Sequence, residues 1–276
     1  MKRRLGGDIE ISNETIMKFQ RKVFTFYQKQ KRKLPWRTTH DPYKILVSEL
    51  MLQQTQVSRV ITYYNTWMQQ WPTIQHLAKA SRHEVLHAWM GLGYNTRAIR
   101  LQQAARKIVE EYQGDVVRAM EHYQEIPGVG RYTSQAVLIF ATNADLVTVD
   151  TNIRRIFIHE FCLPETIPEK MLWDLAQRCL PKGESRRWHN ALMDYGALHL
   201  TAQKTGVKPK SRQQRFEGSN RQLRAKILRI LLQRDQSSTE MERLLDVNAP
   251  RLQPILEKLI DEDIILRKNG RYYLKE

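Results

Sequence analysis

Residues 127–133 read Pro127-Gly128-Val129-Gly130-Arg131-Tyr132-Thr133, and Asp150 stands twenty residues after Gly130. Two glycines flanking one apolar residue let a backbone turn tightly and leave its amide hydrogens open where the next helix begins. Amides at a helix start hold a phosphate without a charged side chain. Helical patterns on both sides, over 117–125 and 130–142, make this a helix-hairpin-helix, with Gly128, Gly130, Arg131 and Thr133 as its phosphate-binding residues. Asp150 falls between the apolar stretch 146–149 and a helix opening at Thr151, which is an N-cap position. A cap carboxylate accepts backbone N–H bonds at the positive helix end and is expected to stay ionised. Such a fixed charge can face a cationic centre such as an oxocarbenium ion.

Outward from this stretch, apolar residues return at three and four from Ser12 to Leu200, with breaks at Pro or Gly. The pattern predicts helices over 13–31, 42–51, 57–71, 73–80, 82–91, 95–112, 117–125, 130–142, 151–161, 168–180 and 187–200. The fold class is therefore all-α. In the second of these, Glu49 interrupts an apolar run and shares a helical face with Ile45 and Leu52. Burial there raises a carboxyl pKa toward the range of a general acid. One carboxyl held neutral and another held charged is a recurring acid–base arrangement.

The chain divides into residues 1–200, a helical domain whose N-terminal segment returns to pack with 150–200, then 201–219 and 220–276. The run 201–219 carries five basic residues, Gly and Pro without periodicity, and reads as a basic arm. Residues 220–276 predict three helices, the second opening at Ser237 or Ser238, and a hairpin turning at Asn269-Gly270, in the manner of a winged helix-turn-helix. Its role reads as either a protein or packing contact or a DNA contact.

The 276 residues hold 45 Lys and Arg against 29 Asp and Glu, a net +16, with a pI near 9.9. Residues 1–216 account for a net +14 of this. Such a field attracts polyanions and points to nucleic acid. No apolar run approaches a membrane span, and the basic N-terminus is not followed by the apolar segment of a secretory signal. Two cysteines cannot build a disulfide scaffold. The expectation is an intracellular monomer, cytoplasmic and nucleoid-associated if prokaryotic, with no membrane partner.

Residues 34–200 resemble the helix-hairpin-helix-Gly/Pro-Asp superfamily of base-excision DNA glycosylases, through the hairpin, Asp150 and the position of Glu49. Within it, Leu34-Pro35-Trp36-Arg37, Met51-Leu52-Gln53-Gln54-Thr55-Gln56-Val57 and Gly91-Leu92-Gly93-Tyr94 are most similar to MutY-type adenine DNA glycosylases. The resemblance implies that Glu49 protonates adenine at N7 and that Asp150 stabilises or traps the oxocarbenium ion. It implies that Tyr132 and Asn152 support these carboxylates, and that Trp36 and Arg37 line the base pocket. Gln54 and Tyr94 would insert into the gap left by a flipped nucleotide, a step that chemistry on a stacked base requires. Tyr132 stands where the endonuclease III branch carries the Lys that attacks the sugar, which implies base removal with little or no lyase activity.

Three departures stand out. The family commonly holds an iron–sulfur cluster through four cysteines, and the matching positions here are Leu200, Val207, Lys210 and Phe216. Their chemistry excludes a cluster at this site, so no cofactor is expected, and an apolar contact would take over its structural work. Asn190 falls at the base-reading position, where MutY-type enzymes usually carry Glu or Gln. Residues 220–276 are too short and too helical for the Nudix-like domain that reads 8-oxoguanine in such enzymes. The implied function is a monofunctional DNA glycosylase that removes adenine opposite 8-oxoguanine or guanine in duplex DNA. Two alternatives are a thymine or uracil glycosylase acting on G·T or G·U, and a non-catalytic winged-helix DNA-binding protein.

Overall fold

A computed structural model describes residues 11–208 and 215–275. The chain forms two units, one of Met1–Lys33 with Leu138–Arg212 and the other of Leu34–Val137 with Gln213–Glu276. We call them the Asp150 unit and the hairpin unit.

The hairpin unit begins with a 3-10 turn, Pro35–Arg37, followed by α2 (Pro42–Leu52), after α1 (Asn13–Gln30) of the other unit. Asp41 caps α2, its carboxylate accepting from the amides of Tyr43 and Lys44, and Pro42 supplies a preset φ at the first helical position. Then come α3 (Val57–Gln70), α4 (Ile74–Lys79), α5 (Arg82–Trp89), α6 (Thr96–Tyr112) and α7 (Val116–Glu121). α2 buries eight of the nine residues from Tyr43 to Met51, all but Lys44, so it is a central helix and not a one-faced one. Trp67 packs edge-on against Trp71 and Trp89. The Trp67 indole N–H donates to the Tyr43 hydroxyl, which donates to the Trp71 carbonyl at 2.9 Å, so the polar tips in this aromatic core are satisfied.

α8 (Arg131–Thr142) passes from the hairpin unit into the Asp150 unit after residue 137. The latter continues with α9 (Thr151–Glu160), α10 (Glu169–Arg178) and α11 (Ser185–Asp194). Phe19 of α1 meets Phe157, Phe161 and Trp188 edge-to-face, and Arg32 closes the returning N-terminal helix onto the buried Asp194.

Three predicted elements differ. The helix expected over 117–125 ends at Glu121, and a separate 3-10 turn, Tyr123–Glu125, follows it. The helix expected over 187–200 opens at Ser185 and ends at Asp194, then widens into a π-helical turn, Tyr195–His199. Gly196 lies at the change: a Cβ there would lie 3.0 Å from Ile156 and 3.3 Å from the Asn152 Cβ, so α9 approaches this backbone closely enough that a side chain would make its neighbours shift. The expected extended arm begins as a folded segment. α12 (Ala202–Thr205), capped by Thr201, leads to Val207 in the core of the Asp150 unit. Residues 209–214, and with them Lys210, lie outside the described residues.

The C-terminal segment of the hairpin unit runs α13 (Asn220–Leu231), β1 (Gln236–Ser237), α14 (Ser238–Leu245), α15 (Ala249–Asp261), β2 (Ile265–Lys268) and β3 (Arg271–Leu274). The strands pair antiparallel in the order β1-β3-β2. Asn269 and Gly270 both adopt positive φ, as a two-residue hairpin turn demands. Ser237 and Glu240 form the capping box of α14. β1 is two residues long and is a strand only because β3 pairs with it. Among the described residues no helix is long and apolar enough to cross a membrane.

Candidate active site

In the hairpin unit, the Val129 amide donates to the Ile126 carbonyl, and the Ser134 hydroxyl donates to the Met120 carbonyl at 2.7 Å, closing α7 against α8. Gly128 has φ +75, and a Cβ there would strike the Arg100 side chain at 2.7 Å. Gly130 differs from expectation. It has no positive φ and open space around its Cβ position, so the turn does not need it, but its bare surface lets a ligand reach the backbone. Gly130 and Arg131 are exposed, Tyr132 is half-buried, and Thr133 is buried with its hydroxyl 3.5 Å from the Gln53 amide nitrogen.

Glu49 is buried, 7% exposed, on the last full turn of α2. Trp36 is also buried, packed edge-on against Tyr64, while Arg37 stays partly open. Gln54 and Tyr94 share a property the sequence does not reveal. Both are exposed, and both are held at positive φ, +55 and +48. For side chains of this size that backbone costs about 1–2 kcal/mol and persists only where surroundings impose it.

Arg97 imposes it. One guanidinium nitrogen donates to the carbonyls of Leu50, Met51 and Gln53 at 2.5–3.1 Å, and the other donates to Thr55 Oγ1 and the carbonyls of Leu92 and Gly93 at 3.0–3.3 Å. It thus ties the end of α2, which carries Glu49 and leads to Gln54, to the loop carrying Tyr94. The planar five-donor fork suits this task, whereas a point-charge ammonium does not. Burial lowers its pKa to about 10, so it remains charged at neutral pH. Arg97 was not singled out in the sequence. The available signal was a charged residue on the face of α6 shared with Leu101, Ala104 and Ala105, which are all buried.

In the Asp150 unit, Asp150 caps α9 as expected. One carboxylate oxygen accepts from the Ile153 amide at 2.7 Å and the other from the Asn152 side-chain amide at 3.0 Å. Arg155 donates to Asn152 Oδ1 and to the carbonyls of Gly196 and Leu200, which fixes the Asn152 orientation from behind. Capping does lower the pKa of this carboxyl, as expected, but it is not the largest effect on it. Burial pushes its pKa up and outweighs the bonds from Ile153 and Asn152 and the Arg155 charge, all of which lower it.

His189 is a second residue not anticipated. Its Nδ1 donates to the Ser185 carbonyl, and its Nε2 accepts the Thr148 amide at 3.1 Å, pinning the segment before Asp150 to α11. Burial lowers its pKa to about 4, which keeps it neutral. Its neighbour Asn190 is buried, with Nδ2 donating to the Arg186 carbonyl at 3.0 Å. That bond uses one of the two amide hydrogens, so Asn190 keeps a donor as well as its Oδ1 acceptor for a base edge.

The positions matching the cluster cysteines do not fit an iron–sulfur cluster. Leu200 and Val207 are buried aliphatic residues of the Asp150 core, and Phe216 is 50% exposed, so none offers a thiolate. The expected apolar replacement contact therefore involves Leu200 and Val207 within that core, while Phe216 stands largely in solvent. Among the described residues no group of His, Cys, Asp or Glu is arranged to hold a metal ion.

A hairpin of this form followed by an aspartate that caps the next helix defines a class of DNA base-excision repair protein. The HhH-GPD superfamily of base excision DNA repair proteins matches residues 47–182, and the chain belongs to it. Within that superfamily the chain is similar to the adenine DNA glycosylase of Rattus norvegicus, 42% identical over 202 residues, covering 68% of this chain and 39% of that protein. It is 34% identical to the adenine DNA glycosylase of Mycolicibacterium smegmatis over 278 residues, covering 91% of this chain and 94% of that one. The chain thus spans about two fifths of the mammalian relatives' length and nearly all of the mycobacterial one's. Among solved structures, a thermostable thymine-DNA glycosylase superposes with TM-score 0.64 at 30% identity, over 72% of this chain and 91% of that one. An endonuclease III–DNA covalent intermediate superposes with TM-score 0.62 at 18% identity over 73% and 92%, which is a likeness of fold.

Proposed function

We propose that the chain is a monofunctional DNA N-glycosylase that flips adenine out of duplex DNA and removes it from mispairs with 8-oxoguanine or guanine. The observation that carries the reading is the pair of exposed side chains, Gln54 and Tyr94, held at positive φ by one buried arginine in the unit that also bears the phosphate-binding hairpin. Two strained side chains presented together suit insertion into a base stack. Adenine is favoured over other bases by the relatives named above, one of which aligns over nearly its whole length.

In this reading Gly128, Gly130, Arg131 and Thr133 hold a backbone phosphate, with the hairpin amides as donors. Glu49 gives its proton to adenine N7, the bond from C1′ to N9 breaks with its electron pair leaving on the base, and Asp150 balances the positive charge left on the sugar. Water then adds at C1′ and gives up a proton, which restores the Glu49 acid, leaving an abasic site. Asn152 orients Asp150, Trp36 and Arg37 border the base, and the Asn190 carbonyl accepts from its amino group. Tyr132 has no amine to form a Schiff base, so the strand stays intact.

Single-turnover assays on A·8-oxoG, A·G, T·G and U·G duplexes, with and without alkali, test this. Adenine should leave fastest, and strand breaks should need alkali. Glu49→Gln and Asp150→Asn should each abolish excision while retaining duplex binding. The similarity to a thymine-DNA glycosylase supplies the second reading, and faster release of thymine from T·G than of adenine from A·8-oxoG would establish it instead.

A further inference from the structure

The C-terminal module has no part in the chemistry above, yet it lays a guanidinium on one of the two wedge residues. Arg221, in the first turn of α13, donates from Nη1 to the Tyr94 hydroxyl at 3.0 Å. Its guanidinium also sits 5.6 Å from the Tyr94 ring centroid and 6.0 Å from that of Phe216. The Arg97 guanidinium lies 5.6 Å from the same tyrosine ring. Tyr94 therefore has its backbone fixed through the Gly93 carbonyl, its ring close to two guanidinium groups and its hydroxyl held, while 36% of it remains exposed.

The contact does not come from a loosely attached tail. The module is seated on α5, the helix that leads into the Tyr94 loop. Buried Arg82 donates to the Asp263 carbonyl and pairs with its carboxylate, which also receives Lys275. The His83 Nε2 donates to the Leu232 carbonyl at 2.8 Å. On α15, where a winged helix reads DNA, Glu257 and Asp261 balance Arg251 and Lys258, and Arg251 is directed to the Gly218 carbonyl. Part of the module's polar chemistry is thus turned toward α5 and Tyr94.

We propose that Arg221 is a positioning residue for the Tyr94 wedge, and that the C-terminal module thereby takes part in lesion recognition within the same chain. This rests on the assignment of Tyr94 as a wedge. Arg221 holds the phenol in the rotamer that enters the stack, so that ordering the side chain is not left to the moment of base flipping.

The test uses the full chain and a duplex with 2-aminopurine beside the target adenine, whose fluorescence reports flipping. Arg221→Ala should slow flipping and single-turnover excision by roughly tenfold, the scale of one hydrogen bond with a ring contact, and leave matched-duplex affinity and the melting temperature nearly unchanged. Tyr94→Phe, which keeps the ring and loses the acceptor, should have a similar effect. The double variant should be no slower than the slower single one, because both remove the same contact. Arg221→Lys should recover part of the rate. The proposal is overturned by multiplicative effects in the double variant, or by an Arg221→Ala effect confined to affinity with a reduced salt slope, which marks a phosphate contact. A Tyr94→Ala variant that still flips its base normally removes the wedge assignment and the proposal with it, whereas loss of flipping in Tyr94→Ala alone, with Arg221→Ala unaffected, removes only the role of Arg221.

Discussion

Two ionisable side chains of the Asp150 unit are held away from their ordinary behaviour by burial, with opposite consequences. The Asp150 carboxyl is pushed up, so the folded chain binds its proton more readily than the unfolded one. Stability from this group therefore falls as pH rises through the ordinary carboxylate range toward the folded value. The Asp150→Asn variant, proposed above to lose excision, should consequently melt at or above the temperature of the unmodified protein at neutral pH, a trade of stability for activity readable by calorimetry beside the excision assay. His189 is pushed down to about 4 from 6.5. Its contribution is complete above the unfolded value and drains away as pH falls from about 6.5 toward 4, because there only the unfolded chain takes up the proton. The whole effect is about 3 kcal/mol. His189→Gln should lower stability at pH 7 but flatten its dependence between pH 7 and 5. Equal slopes for the two proteins in urea titrations would rule out this histidine as the source.

Among elements, the decisive connection is the one Arg97 makes between the end of α2 and the start of α6. Replacing Arg97 with Met keeps the stem but strands a group of buried carbonyls, at a cost of about 1–3 kcal/mol each where water cannot reach them. A loss of roughly 3 kcal/mol in total is expected, with some acceptors rehydrated. Because both strained residues relax when the clamp goes, excision should fall further than stability accounts for, seen as a rate defect at saturating protein and a temperature where the variant is fully folded. A rate defect that merely tracks the unfolded fraction would argue against the clamp. Within the Asp150 unit, the π turn at Gly196 performs a similar task for Asp150. It offers the Gly196 carbonyl to Arg155, which holds Asn152, which holds the carboxylate.

For the whole molecule, the relevant quantity is charge. A net +16 concentrated before residue 217 favours counterion release on any duplex, matched or mispaired. Affinity for an undamaged duplex should therefore fall by about a hundredfold or more between 50 and 200 mM salt, whereas the single-turnover rate of bound enzyme should hardly change. Fluorescence anisotropy against rapid-quench rates separates the two. A shallow dependence of affinity would mean that the basic surface does not track phosphates.

Local chemistry was legible in the sequence where a residue acts through its own neighbours. Pro127 to Thr133 announced a hairpin, Asp150 a cap, Glu49 a carboxyl on an apolar helix, and Asn269-Gly270 a tight turn, because each depends on contacts a few residues away. The missing thiolates at Leu200, Val207, Lys210 and Phe216 could likewise be read directly, since ligand chemistry does not wait on geometry. What depends on residues far apart in the chain was decided only by tertiary structure. The left-handed backbones of Gln54 and Tyr94 exist because Arg97, some forty residues beyond the first, bonds both loops at once. The raised pKa of Asp150 follows from burial that no local pattern measures, and the hand of Arg221 on Tyr94 spans 127 residues. Strain and desolvation are properties of a packed interior, so a sequence names the groups that bear them while only the folded chain decides that they do.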